Sequence, residues 1–208
     1  MKRPAGARRR EKSPPLLLVG GFYPLLTPMP LHLAARHFRR LGREVWIVPH
    51  SVGSMRDVRQ RAALTARYAR EVLAKTGAAK LDILAYSMGG LAAIYAIQHF
   101  GLADRVRTFV SYGSPYQGTP ASLIILIFRE YFSLMARQML PESDLVREIL
   151  AGGLPPGPRY VSVYGETDWL CPRASAYLPG AKHAHCPFDH LDFLIDPRVC
   201  RALEPFLR

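Results

Sequence analysis

The residue whose surroundings most suggest chemistry is Ser87, in the stretch Leu81-Asp82-Ile83-Leu84-Ala85-Tyr86-Ser87-Met88-Gly89-Gly90-Leu91. An apolar run ends at the serine, and an alanine-rich amphipathic stretch, Leu91 to Phe100, follows at once. This reads as a buried strand, a very tight turn and a helix. Ala85 and Gly89, at minus and plus two, leave room for strand and helix backbones to approach closely. The string matches the nucleophile elbow G-x-S-x-G with alanine in the first glycine position. An ordinary helix-capping serine would present the same short string. The apolar strand before it and the helix after it favour the elbow.

A neutral hydroxyl is a poor nucleophile and needs a base, itself oriented by a third group. On a parallel sheet those partners come from loops after later strands, in the chain order Ser, acid, His. The acid candidate is Asp168, a few residues past the strand Val161 to Tyr164; Glu166, nearer the strand, competes. The base candidate is His190, between the last expected strand and the last helix. His183 and His185 are rivals that lie in or beside that strand. His32, His37 and His99 fall on helices, and His50 ends the second strand. A tetrahedral oxyanion would need two fixed donors. The backbone N–H of Met88, at a helix N-terminus, is one. The N–H of Phe22, in the glycine-bearing loop after the first strand, is the other, with Gly21 second. Gly21, Tyr23, Tyr86 and Trp169, which neighbour these groups along the chain, Pro115 after the next strand, and Leu123 in the long segment beyond it are expected to line a substrate site.

The elements that must position them alternate. Leu16 to Val19 suits a strand buried on both faces. Leu31 to Leu41 carries one apolar stripe and reads as a helix. Glu44 to Val48 is a strand, Met55 to Lys75 a helix, Leu81 to Ala85 a strand and Met88 to Phe100 a helix. Strands follow at Val106 to Tyr112, Val161 to Tyr164 and near Lys182 to His185. The end of the chain from Leu191 is helical, with Pro197 at a turn or first helical position. Alternation of this kind predicts a parallel sheet with helices on both faces and every strand C-terminus on one edge. The long, apolar segment 115–157 reads either as a core helix or as a cap over that edge.

At 208 residues the chain is most simply one domain, able to bury roughly 70% of its unfolded surface. With 49% hydrophobic and 21% charged residues it belongs among globular rather than disordered sequences. The formal charge is +12, of which the first twelve residues carry +5 and the rest +7. Residues 1–15 read as a disordered basic tail and 16–208 as the folded domain. The remaining basic residues are scattered along helix faces without a nucleic-acid motif, so no nucleic-acid partner is expected. Peripheral contact with an anionic membrane through the tail is compatible with the charge. No apolar run is long enough to span a bilayer or to form a signal-peptide core, which favours a cytoplasmic location. Cys171, Cys186 and Cys200 lack metal-type spacing. Cys171 and Cys186 sit in two late loops, which leaves both a disulfide and free thiols open.

Four stretches together resemble a known group. Ala85-Tyr86-Ser87-Met88-Gly89-Gly90 resembles the A-x-S-M-G elbow of small bacterial lipases of the Bacillus lipase A type, compact members of the α/β-hydrolase superfamily. Gly113-Ser114-Pro115-Tyr116-Gln117-Gly118-Thr119-Pro120 is similar to their G-S-P-x-x-G-T-P. Tyr164-Gly165-Glu166-Thr167-Asp168 is similar to their acid loop, and His190-Leu191-Asp192-Phe193-Leu194-Ile195-Asp196-Pro197 to their H-L-x-L-L-x-D-P ending. The resemblance implies a minimal α/β-hydrolase fold of about six mainly parallel strands with a helical cap-like insertion. It implies Ser87 as nucleophile, Asp168 as acid, His190 as base, and Phe22 and Met88 as oxyanion-hole amides. Where the family's first loop reads H-G, this chain has Gly20-Gly21, which keeps the backbone donor and loses an imidazole. The expected activity is metal-free and cofactor-free hydrolysis of carboxylic esters by a monomer, on a small-molecule or lipid ester substrate. The alternatives are an acyltransferase or thioesterase using the same triad, and a non-catalytic hydrolase-like module that binds lipid.

Overall fold

A computed structural model describes residues 13–22, 29–49, 56–123 and 133–208. Six parallel strands form one sheet: β1 (Leu16–Val19), β2 (Val45–Ile47), β3 (Leu81–Tyr86), β4 (Val106–Tyr112), β5 (Arg159–Gly165) and β6 (Lys182–Cys186). Their order is β2-β1-β3-β4-β5-β6. The register pairs Val19 with Ala85, Tyr86 with Tyr112, and Gly165 with Cys186. The chain therefore runs from β1 outward to β2, then returns to place β3 on the other side of β1. That reversal opens a crevice at the C-terminal ends of β1 and β3, where ligands of open α/β sheets bind.

Helices cover both faces. On one side lie α2 (Val58–Thr76) and α3 (Met88–His99). They pack on Leu17, Val19, Leu81, Ile83 and Ala85. On the other lie α1 (Met29–Arg40), α6 (Asp192–Ile195) and α7 (Pro197–Leu203), packed on Leu16, Leu18, Leu84, Tyr86, Val110 and Tyr112. Alternate residues of β1 thus enter opposite cores, which is why its four residues are all apolar. In α3 every residue from Met88 to Ile97 is buried. A Cβ on Gly89 would collide with the carbonyl oxygen of Val19, so the helix seats directly on the β1 backbone.

Two short helices, α4 (Ser133–Gln138) and α5 (Asp144–Gly152), occupy the described part of the segment between β4 and β5. Met135, Met139, Leu145 and Ile149 belong to the same buried cluster as α3. Polar ties fasten these helices to α2. The side-chain carbonyl of Gln138 accepts from Val58 N–H at 2.8 Å, and Arg59 reaches Glu148 at 2.7 Å. Of the proposed cap, residues 124–132 lie outside the described residues.

Element boundaries differ from expectation in small ways. The strand expected over Glu44 to Val48 is three residues long. The second long helix begins at Val58, where Asp57 caps it by accepting from Arg59 N–H at 2.8 Å. Met55 and residues 1–12 lie outside the described residues. The expected tail does not extend to residue 15. Pro15 is buried and its carbonyl accepts from Asp82 N–H at 2.9 Å, while Pro14 accepts from Arg43 at 2.7 Å.

At the N-terminal end of the sheet a carboxylate is fully buried. Asp82 receives Arg43 at 2.5 Å and Arg107 at 2.6 and 2.9 Å. Both arginines also donate to the Leu207 carbonyl, tying the last turn of the chain to the floor of the sheet. All three cysteines are buried free thiols, so no bridge joins Cys171 and Cys186. Among the described residues no helix is long and apolar enough to cross a membrane.

Candidate active site

Ser87 follows β3 directly and precedes the first residue of α3. Its backbone stands at φ 55 and ψ −131. A side chain in this region costs about 1–3 kcal/mol, and such strain gathers at functional sites. The conformation is over-determined by its surroundings. Ser87 N–H continues the ladder by donating to Tyr112 O at 2.9 Å, and Gly90 N–H donates back to Ser87 O at 2.9 Å. The side chain makes no capping bond, although the residue sits at the N-cap position. Its Oγ instead lies 3.1 Å from His190 Nε2.

His190 sits in the loop between β6 and α6, and its side chain is almost wholly buried. Its Nδ1 is 2.7 Å from Asp168 Oδ2. Asp168, in the loop after β5, is equally enclosed, and its other oxygen accepts from Cys171 N–H at 2.7 Å. Both carboxylate oxygens are therefore occupied. A buried carboxylate with full hydrogen bonding can hold a fixed orientation without paying the cost of an unpaired charge. The nearby thiol feels the same environment: burial and the Asp168 charge push Cys171 well above the ordinary cysteine range.

Gly113 explains how the pair fits against the sheet. It follows β4 with φ 56, and a Cβ there would stand 2.7 Å from His190 Nδ1 and 3.0 Å from Asp168 Oδ2. Both the backbone angle and the space require glycine. On the opposite side of Ser87, a Cβ on Gly21 would come within 2.7 Å of Ser87 Cβ and 3.3 Å of its Oγ. The loop after β1 therefore runs against the serine, where Gly21 keeps the approach open. Phe22 follows it, partly buried against the core. Met88 opens α3, and the first N–H groups of a helix have no partner within it. The expected oxyanion donors are the backbone N–H groups of Phe22, one residue past Gly21, and of Met88, one residue past Ser87.

The rival residues lie elsewhere. Glu166 is exposed and faces His185 at 3.8 Å. His183 accepts from Leu178 N–H at 3.1 Å and stacks on Tyr177. His37 bonds Glu204 at 2.7 Å, and the His99 ring lies tilted against Tyr95, centroids 4.2 Å apart. His50 lies outside the described residues, as does Tyr23. Trp169 and Leu123, also expected at the substrate site, are 62% and 48% exposed. Pro115 is buried in the turn after β4.

Tyr86, expected to line the substrate site, is 2% exposed and points to the opposite face of the sheet from α3. Strand alternation sends it there, since Ala85 beside it faces α3. Its hydroxyl donates to His190 O at 3.0 Å. Gly113, Tyr112 and the amide of Cys171 escaped the sequence reading. Gly113 had a visible signal, a glycine immediately after a strand that the elbow strand should neighbour; the other two had none.

Among the described residues no group of three or more His, Cys, Asp or Glu side chains is placed to hold a metal ion. No protein-family model matches the chain. Solved structures do. The chain is similar to the mature form of Bacillus licheniformis lipase BlEst2, with TM-score 0.79 and 15% identity over 94% of this chain and 92% of that one. It is similar to Aspergillus fumigatus lipase B, with TM-score 0.68 and 18% identity over 92% of this chain and 51% of that one. It is also similar to a bromoperoxidase from Bacillus anthracis, with TM-score 0.65 and 14% identity over 94% of this chain and 92% of that one. At these identities the likeness establishes architecture: the chain has the α/β-hydrolase fold. Enzymes of different chemistry share that architecture, so function must be argued from the site.

Proposed function

We propose that this α/β-hydrolase-fold chain is a serine hydrolase that cleaves carboxylic esters through an acyl-enzyme on Ser87. The observation that carries the reading is the continuous array Ser87 Oγ, His190 and Asp168, with steps of 3.1 and 2.7 Å, built on a strained serine. Ser87 Oγ attacks the ester carbonyl carbon while His190 Nε2 takes its proton. Asp168 accepts the Nδ1–H bond throughout and stabilises the imidazolium. The oxyanion receives hydrogen bonds from the N–H groups of Phe22 and Met88; losing one such donor typically costs about 3–4 kcal/mol of transition-state stabilisation. Collapse breaks the carbonyl–alkoxy bond, and the departing alcohol takes the proton from His190. Water then attacks the acyl-serine, again giving its proton to His190, and collapse returns the hydroxyl to Ser87 and releases the acid. Trp169 follows Asp168 directly in the chain and is exposed, and such an aromatic surface would favour an apolar acyl group.

The test is turnover of p-nitrophenyl esters of short and medium acyl chains, with labelling by a fluorophosphonate probe. Ser87→Ala should lose at least about 10⁴-fold in kcat, as removal of a triad serine does, and should lose the label. Hydrolysis that survives the substitution overturns the assignment. Adding a competing alcohol or thiol and analysing the products distinguishes water from another acyl acceptor.

A further inference from the structure

The histidine loop is joined to the sheet through two phenols that the reaction does not use. Tyr86 is the last residue of β3 and Tyr112 the last of β4, and the two are register partners. Tyr112 donates its hydroxyl to Phe188 O and Asp189 O, both at 2.9 Å, and Tyr86 donates to His190 O at 3.0 Å. Three consecutive carbonyls of the loop are thereby held above the ends of the two central strands. Apart from the His190–Asp168 and His190–Ser87 bonds, the further bonds at residues 189–192 join near neighbours. Asp189 N–H donates to the Asp192 carboxylate at 2.7 Å, His190 N–H to Asp189 Oδ1 at 2.5 Å, and Asp192 N–H to Asp189 O at 3.2 Å. These shape the turn but do not set its height over the sheet.

The rings reinforce the arrangement. Phe193, on α6, stacks on Tyr86 with centroids 4.5 Å apart and on Tyr112 at 5.7 Å, and the Tyr86 ring lies 5.0 Å from the His190 ring. Tyr112 is fully buried, and burial together with the charges of nearby Asp168, Asp189 and Asp192 pushes its ionisation far above the ordinary phenol range, so it remains a donor.

We infer that Tyr86 and Tyr112 are positioning residues: two struts that set the distance of His190 Nε2 from Ser87 Oγ by holding the carbonyls of residues 188–190. The inference rests on the ester-hydrolase reading for its kinetic consequence and on geometry alone for its structural one. Both hydroxyls bond loop carbonyls rather than the reacting atoms. Their loss should lower the chemical step and leave substrate binding alone, because misplacement of a catalytic group by about 1 Å can cost on the order of 100-fold.

The experiment compares the parent with Tyr86→Phe, Tyr112→Phe and the double variant, which keep the rings and remove only the hydroxyls. Two quantities are read: kcat and KM on a p-nitrophenyl ester, and amide hydrogen exchange over residues 187–194 by mass spectrometry. The expected result is a fall in kcat of about tenfold for each single variant, as follows from loosened positioning, with KM within twofold and faster exchange confined to the loop. Asp82→Asn, at the far end of β3, serves as a control that lowers stability without changing kcat. Unchanged kcat and unchanged loop exchange in both single variants overturn the inference, as does a loss that appears in KM alone. If Tyr112→Phe fails to fold, Tyr86→Phe decides by the same criteria. A parent inert toward esters and toward the fluorophosphonate refutes the hydrolase reading; loop exchange then still upholds or overturns the struts.

Discussion

The contacts of Gly113 make a sharp prediction about the site. Any side chain there must occupy the space of the His190–Asp168 pair. Gly113→Ala should therefore lower kcat by at least about 100-fold, the scale of a displaced catalytic group, while circular dichroism shows the sheet and helices retained. Steady-state kinetics on an ester substrate checks it; a variant with parental kcat would show that the ring tolerates the displacement. Legibility at this scale was uneven. The meeting of Ser87, Asp168 and His190 was readable because a nucleophile, an acid and a base would be needed in that order on strand-end loops. The burial of Tyr86 was not, because its proximity to Ser87 in sequence hides the alternation of side chains across a strand. The Cys171 amide was invisible because any residue supplies a backbone N–H.

Among elements, β3 carries the greatest burden. Its six residues are all buried, and it lies between β1 and β4. Alternation explains five of the six, but the buried Asp82 breaks the apolar pattern. The structure accounts for it through Arg43 and Arg107, whose pairing across β3, β4 and the loop before β2 depends on tertiary contact that no local pattern signals. Removing Asp82 leaves Arg43, whose side chain is only 10% exposed, beside no carboxylate. Asp82→Ala should cost about 3 kcal/mol or more, as breaking a buried pair from one side does, with little change in kcat. Urea unfolding with a parallel activity assay checks both halves. Strand and helix identities were legible from periodicity, while their ends shifted where a cap such as Asp57, rather than the apolar pattern, sets the boundary. The ambiguity over 115–157 arose because an apolar helix can face a sheet or a cleft with the same composition. The described helices α4 and α5 face the core.

For the molecule as a whole, burial of weak acids has a consequence above neutral pH. Cys186 is pushed up to about 11 and Cys200 to about 12 from the thiol's usual 9.0, in both cases by burial first. Tyr160 is pushed up to about 12 from 10.0, again by burial. In each case the folded state keeps its proton where the unfolded chain releases it. The unfolded state then binds fewer protons, so stability falls as pH rises, beginning near 9 and continuing to about 12. Thermal melts should show a level Tm up to pH 9 and a decline above it. Cys200→Ala should make that decline shallower. Relief of positive self-repulsion will not offset it, since only five of the 28 basic residues are lysines and arginine does not titrate in this range. Finally, β3 ends one residue before Ser87 and begins beside the Asp82 ion cluster; Ser87 and Asp82 are about 16 Å apart at the usual rise per strand residue. Sites so separated, with no shared partner, contribute independently. The floor can therefore be rebuilt for heat or solvent tolerance, and the rim for a new ester, as two separate engineering campaigns whose gains combine.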